Sequence, residues 1–178
     1  MSIILITGSM FSEKTTTLLS YARKYRLAKK KVVLIKNAED QRYSARNISS
    51  HNQDFIEATF AVQSLHPVQA APEVAAGDVI LIDEGQFFPD LAEVCAAWAA
   101  EGKHVVVSAL NGTFERKPFP AISGLIPQVN QIIHLSAVCT VCGQPAHFSH
   151  LKSAGGPAGE PLIGGAEHYE ARCRACLG

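Results

Sequence analysis

Gly8-Ser-Met-Phe-Ser-Glu-Lys14-Thr15 follows a short apolar run, Ile3 to Thr7, and precedes a stretch with helical spacing. Strand, tight loop and helix in that order make a cradle for phosphates. Backbone N–H groups and the helix N-terminus wrap the β- and γ-phosphates, Lys14 neutralises charge, and the Thr15 hydroxyl coordinates Mg²⁺. The loop fits G-x-x-x-x-G-K-[ST] at every defined position except the second glycine, where Glu13 stands. Glycine there permits a positive φ and close approach of a phosphate. A glutamate bears a left-handed backbone at a cost of roughly 1–2 kcal/mol and sets a carboxylate beside the phosphates, so weakened nucleotide binding is expected.

Asp83 and Glu84 end a second apolar run, Val79-Ile80-Leu81-Ile82. In open α/β sheets ligands sit at the C-terminal ends of the strands. Asp83 there fits a carboxylate reaching Mg²⁺ through water. Glu84, one residue on, faces elsewhere and fits a base that takes a proton from a hydroxyl. Cradle, metal carboxylate and base are the parts that phosphoryl transfer requires.

Cys139-x2-Cys142 and Cys173-x2-Cys176 are separated by thirty residues. Two such knuckles suit a tetrahedral Cys₄ structural zinc that clamps the base of a long loop and leaves no open position for catalysis. Redox disulfides are the alternative for these pairs. The fifth cysteine, Cys95, lies in an Ala-rich stretch and reads as a buried helix residue.

These groups must be positioned by regular elements. Thr15 to Lys29 has helical spacing, with Leu18, Leu19, Ala22 and Tyr25 on one face. Val32 to Ile35, Val79 to Ile82, His104 to Ala109 and Ile132 to Leu135 read as strands, and Pro89 to Ala100 as a helix. Runs apolar at every position are strands buried on both faces, as in a parallel sheet. The alternation predicts a doubly wound α/β fold. Residues 37 to 54 are polar and aperiodic and read as a loop. After Ala137 the texture changes to cysteine pairs and short strands, and Ser153 to Gly165 holds five glycines and two prolines. The expected division is a nucleotide-binding domain at 1–137 and a small domain at 138–178.

With 178 residues, 16 Lys plus Arg, 16 Asp plus Glu and no net charge, the chain has the composition of a soluble domain with a sizeable core. Nucleic-acid and membrane-surface binders need surplus positive charge, and residues 139 to 178 set Lys152, Arg172 and Arg174 against Glu160, Glu167 and Glu170. Neither partner is expected. The N-terminal apolar run is too short for a signal or a span, and a cytoplasmic location is expected.

Gly8-Ser-Met-Phe-Ser-Glu-Lys-Thr, Ile82-Asp-Glu-Gly-Gln-Phe-Phe88, Gly112-Thr-Phe-Glu-Arg-Lys-Pro-Phe119, Asp40-Gln-Arg-Tyr-Ser44 and Ile163-Gly-Gly-Ala-Glu-His-Tyr169 occur in order with the cysteine pairs. From Ile3 to Cys176 the chain resembles the type II (cytosolic) thymidine kinases. The resemblance implies a P-loop (RecA-like) parallel sheet with helices on both faces, plus a C-terminal zinc-ribbon and lasso domain. It implies phosphorylation of the thymidine 5′-hydroxyl by ATP to give dTMP, with Mg²⁺, a structural Zn²⁺, dTTP as feedback inhibitor and a homotetramer. The alternative is a kinase scaffold impaired by Glu13.

By the same resemblance, Gly8, Ser9, Met10, Phe11, Ser12, Glu13, Lys14 and Thr15 surround the ATP phosphates, with Arg42, Asp83 and Gln86. Glu84 is the general base, and Thr15 and Asp83 serve the magnesium. Met10, Phe87, Leu110, Phe114, Phe119, Ser149, Ile163, Gly164 and Tyr169 line the nucleoside site, while Phe88 is left to the core. The zinc ligands are Cys139, Cys142, Cys173 and Cys176. Beyond Glu13, the sequence departs from the family at Ser9 (usually proline), Asn111 (commonly aspartate) and His150-Leu151 (commonly a basic pair).

Overall fold

The computed structural model describes residues 1–39, 47–49, 55–152 and 164–178. Six strands form one sheet in the order β5-β2-β6-β7-β1-β8. They are β1 (Ser2–Gly8), β2 (Val32–Asn37), β5 (Phe60–Val62), β6 (Val79–Ile82), β7 (His104–Leu110) and β8 (Gln131–Leu135). Every neighbouring pair is parallel. All the strands therefore deliver their C-terminal ends to one edge.

Alternation along the strands divides the core into two layers. Ile3 and Leu5 of β1, Ile80 and Ile82 of β6, and Val105 and Val107 of β7 pack against helices α2 (Pro72–Ala76), α3 (Leu91–Ala100) and α4 (Pro120–Leu125) through Val74, Trp98 and Leu125. Ile6, Leu34, Leu81 and Val106 face the other way, onto Leu18, Leu19 and Ala22 of helix α1 (Lys14–Leu27). The expected doubly wound architecture is thus present. Cys95 and Phe88 are fully buried in the first layer.

Helix α1 stops at Leu27, short of the expected Lys29. Lys29 takes φ 58°, and the N–H groups of Lys29 and Lys30 return to the carbonyls of Arg26 and Tyr25. That is a left-handed end of the Schellman type, with lysine where glycine is usual. Helix α3 begins at Leu91 instead of Pro89, after a 3-10 turn at Gly85–Phe87. The stretch 37 to 54 is not wholly irregular, since β3 (Asn47–Ser49) pairs antiparallel with β4 (Phe55–Glu57). Strands of three residues are too short to print a period-2 pattern, which also hid β5. Helices α2 and α4 have five and six residues, too few for a legible helical stripe.

Beyond β8 the chain forms β9 (Ala137–Val138) paired with β10 (Pro145–Ala146), and β11 (Phe148–Leu151) paired with β12 (Tyr169–Arg172), both antiparallel. Ala137, Cys139, Ala146, Ala171 and Cys173 form a separate small core, with Phe11 of the loop after β1 packed against it.

Candidate active site

Most of the buried polar residues lie on one edge of the sheet, Lys103 at the opposite end of β7 being held by the Ala75 and Gly77 carbonyls. Thr7, Ser9, Ser12, Lys36, Asn37, Asp83, Gln86 and Ser108 are all buried, and all sit at or just past the C-terminal ends of β1, β2, β6 and β7. Burying a polar group is costly unless it is partnered, so their gathering on one edge marks the working face of the sheet.

The loop after β1 folds on its own backbone. Phe11 and Glu13 take φ 65° and 61°, the left-handed backbone that recurs in anion-binding nests. The Ser12 hydroxyl and the Lys14 ammonium donate to the Ser9 carbonyl at 2.8 and 2.7 Å. Glu13 is exposed and sits at the N-cap of α1. Its carboxylate accepts the Thr16 hydroxyl at 2.5 Å, and its carbonyl accepts Thr17 N–H at 2.9 Å. The second-glycine position therefore does hold the left-handed backbone that glycine favours, and the carboxylate is engaged along the outside of α1.

Thr15 and Asp83 meet at the sheet edge. The Thr15 hydroxyl lies 3.3 and 3.4 Å from the two carboxylate oxygens of Asp83, which also accepts the Ser108 hydroxyl. Glu84 takes φ 54°, so its side chain departs from the direction of Asp83. Its Oε2 accepts the Gln86 side-chain N–H at 2.5 Å, and Gln86 Oε1 accepts Leu110 N–H at 3.1 Å.

The C-terminal unit meets this loop through Ser9 and Met10, and the end of β7 through Asn111. Ser9 Oγ donates to the Ala146 carbonyl at 3.1 Å, Met10 N–H donates to Ser149 Oγ at 3.0 Å, and the Asn111 amide donates to the His147 carbonyl at 2.9 Å. Ser149, expected at the nucleoside, thus touches the backbone of Met10. Ser9 and Asn111, two departures from the family pattern, act as ties between the units.

The aromatic residues separate. The Phe114 and Tyr169 rings lie 6.4 Å apart, with Tyr169 buried. Phe87 is half-buried beside the turn that carries Glu84. Phe119 is buried at 9% exposure in the layer under α4, and Leu110 packs partly against that layer. A cleft of about 360 Å³ lies beside Phe114, lined also by Arg116, His150 and Leu151. Gly164 is buried and precedes the turn into β12, which closes on the Gly165 carbonyl. Arg42 and Ile163 lie outside the described residues, as does the match at 40–44.

The four cysteines converge. Their sulfurs lie within 4.8 Å of one another, with Cys142 and Cys173 at 3.6 Å. Tetrahedral Zn–S bonds of about 2.3 Å require S–S edges of about 3.8 Å, so the donor set and spacing fit a metal ion. The backbone N–H of Cys173, helped by those of Val141 and Cys142, draws the Cys139 thiol down to about 6. Hydrogen bonding to the Cys142 and Cys173 sulfurs pushes Cys176 up to about 12.

Two residues escaped the sequence reading. Ile82 pairs with Val107, and Ile35 with Ile82, so Ser108 and Lys36 are the next residues on either side of Asp83. A lone hydroxyl in His104-Val-Val-Val-Ser-Ala-Leu110 and the lysine directly after Val32-Val-Leu-Ile35 were the available signals, and they acquire meaning only with the register.

A parallel sheet with the Gly8–Thr15 loop at its C-terminal edge, a Thr15–Asp83 contact beside it and a four-cysteine cluster in the appendage is the architecture of a P-loop nucleotide-binding α/β protein. The sequence profile of the family described as "Thymidine kinase" matches residues 1–177. Human cytosolic thymidine kinase is 43% identical over 171 residues, covering 96% of this chain and 70% of that one. The Gallus gallus cytosolic enzyme is 41% identical, covering 96% and 74%, and the thymidine kinase of variola virus 42% identical, covering 97% and 94%. The chain belongs to the thymidine kinase family. Among solved structures, the flagellar accessory protein FlaH from Methanocaldococcus jannaschii shares the fold, with a TM-score of 0.52 at 12% identity over 84% of this chain and 76% of that one. Among the described residues no helix is long and apolar enough to cross a membrane.

Proposed function

We propose that this chain transfers the γ-phosphoryl group of ATP to the 5′-hydroxyl of thymidine, giving dTMP. The observation that carries this reading is the meeting of Thr15 with Asp83 across the sheet edge, one residue before Glu84, in a chain of the thymidine kinase family. The backbone N–H groups of residues 11–15 and the Lys14 ammonium hold the polyphosphate. Thr15 and Asp83 would hold Mg²⁺, which when bound neutralises charge on the phosphate oxygens. Ser108 keeps the Asp83 carboxylate turned to Thr15. Glu84 takes the proton of the 5′-hydroxyl as its oxygen forms a bond to the γ-phosphorus and the bond to the β-phosphate oxygen breaks.

The nucleoside is placed by Met10, Phe87, Leu110, Phe114 and Tyr169 with the segment 163–169, and Phe119 supports that wall from the core. Base selection follows from backbone groups that a wrong base would leave unpaired, at roughly 1–3 kcal/mol each. Residues 1–137 act as the kinase domain and 138–178 as a ribbon and lasso. Cys139, Cys142, Cys173 and Cys176 would hold zinc, which supplies a structural clamp and no open position. Occupation of the nucleoside site by dTTP, a homotetramer and work in the cytoplasm follow from the family resemblance, and the two animal relatives are named as cytosolic enzymes. Nothing in the comparisons favours the impaired scaffold, and the engagement of Glu13 with Thr16 removes its physical motive.

The test is turnover of thymidine with Mg-ATP by the native chain and by Glu84→Gln. The native chain is expected to turn over, and the variant to lose about 10²- to 10⁴-fold in kcat with ATP affinity retained. Full activity in Glu84→Gln removes Glu84 from the chemistry, and an inert, folded, zinc-loaded native chain removes thymidine as substrate.

A further inference from the structure

Glu84 and Gln86 flank Gly85 in the turn after β6, and their side chains meet. We propose that Gln86 is a positioning residue for the Glu84 carboxylate, holding it at the sheet edge in the orientation from which it accepts the hydroxyl proton. The proposal rests on the reading of Glu84 as the base.

Gln86 is 6% exposed, and both ends of its amide are engaged by protein. Which end faces which partner is fixed by chemistry: a carboxylate only accepts, and a backbone N–H only donates. The NH₂ must face Glu84, and the oxygen must face Leu110. Leu110 N–H therefore orients the amide and the amide orients the carboxylate, a two-step linkage from the last residue of β7 to the base. The bond to Glu84 is charge-assisted, the stronger class.

The backbone supports the same linkage. The positive φ of Glu84 begins the 3-10 turn. Gly85 lies so close to β7 that a Cβ there would meet Val107 Cγ1 at 2.5 Å and the Ser108 carbonyl at 3.4 Å. The turn is thus pressed onto β7 by its glycine and tied to it by Gln86. Family resemblance groups Gln86 with the phosphate contacts; the bonds its amide makes here run to Leu110 and to Glu84, so its effect on the site passes through Glu84. Loss of that hydrogen bond shifts the orientation of the carboxylate, and a displacement of about 1 Å costs about 10²-fold in rate.

The experiment compares Gln86→Met, which keeps the volume and removes both hydrogen bonds, with Glu84→Gln and the double variant. kcat and KM are measured with thymidine and Mg-ATP, and ATP affinity by equilibrium binding. The expected result for Gln86→Met is a kcat lower by about 10- to 100-fold, with ATP Kd and thymidine KM within about twofold of native. In the Glu84→Gln background the same substitution is expected to cause no further loss, because the two residues act as one unit. Multiplying losses, or a Kd for ATP weakened about tenfold or more with kcat retained, would overturn the proposal in favour of direct nucleotide contact. Gln86→Asn adds no charge but is one methylene too short to span Leu110 N–H and Glu84, so it guards against a folding failure; native kcat in that variant also overturns the proposal. If Glu84→Gln itself is fully active, the base reading falls first.

Discussion

Glu13→Gly restores the residue usual at the second glycine of the phosphate loop, and the structure sets the size of its effect. Glu13 stands at φ 61°, ψ 26°, a conformation that costs a non-glycine residue roughly 1–2 kcal/mol. Glycine relieves that strain but adds about 0.5–1 kcal/mol of backbone entropy lost on folding. The exposed hydrogen bond to Thr16 is given up as well, worth about 0.5 kcal/mol. The terms nearly cancel, so the expected stability change is under about 1 kcal/mol, or a Tm shift of no more than about 2–4 °C for a chain of this size. Because the carboxylate is engaged with Thr16 on the outside of α1, its removal relieves only a screened like-charge interaction. ATP KM is expected to fall by about two- to fivefold, with kcat unchanged. Differential scanning fluorimetry and a coupled kinase assay on both chains measure these quantities. A hundredfold gain in ATP affinity, or activity appearing only in Glu13→Gly, would refute the reasoning, because the carboxylate would then have to lie inside the phosphate cradle.

Three other outcomes are expected. Metal analysis of the native chain should find one zinc per chain; Cys173→Ala should lose it and expose the 138–178 unit to limited proteolysis, whereas an intact, metal-free unit speaks against a structural clamp. Ser108→Ala should lower kcat by about tenfold and raise the Mg²⁺ concentration needed for half activity, as Asp83 loses the hydroxyl that orients it; unchanged Mg²⁺ dependence would count against that role. Asp90 accepts the Ser64 hydroxyl and the N–H groups of Leu65 and His66. Partial burial opposes its ionisation, yet these donors hold its carboxyl below the ordinary value. Its contribution is therefore present above about pH 3.9 and lost as the pH falls through the lowered folded value. Asp90→Ala should cost about 1–2 kcal/mol at pH 7 and reduce the acid-induced loss of stability in urea titrations; an unchanged acid limb would show that this carboxylate does not drive it.

Much of the fold was legible because buried parallel strands leave a plain mark. Val79-Ile80-Leu81-Ile82 is apolar at every position, and such a run is stable only between two layers of helix. The phosphate loop was legible because its glycine, lysine and threonine must stand at fixed intervals to wrap an anion. The cysteine pairs were legible because two close knuckles have few other uses. Helices α2 and α4 and strand β5 left no mark, since elements of three to six residues draw their stability from neighbours, not from a periodicity of their own.

The sequence by itself thus determined the chemistry available: a lysine and threonine for phosphates, two successive carboxylates and four thiolates. Only the tertiary structure decided how those groups are aimed. Register placed Ser108 and Lys36 beside Asp83, and the close approach of Gly85 to β7 brought Gln86 between Leu110 and Glu84. The left-handed turn at Glu13 sent its carboxylate to Thr16. Docking of the C-terminal unit gave Ser9, Ser149 and Asn111 partners more than thirty residues distant. Residue types fix donor and acceptor capacity locally, whereas the direction in which a side chain acts depends on contacts between segments remote in the chain.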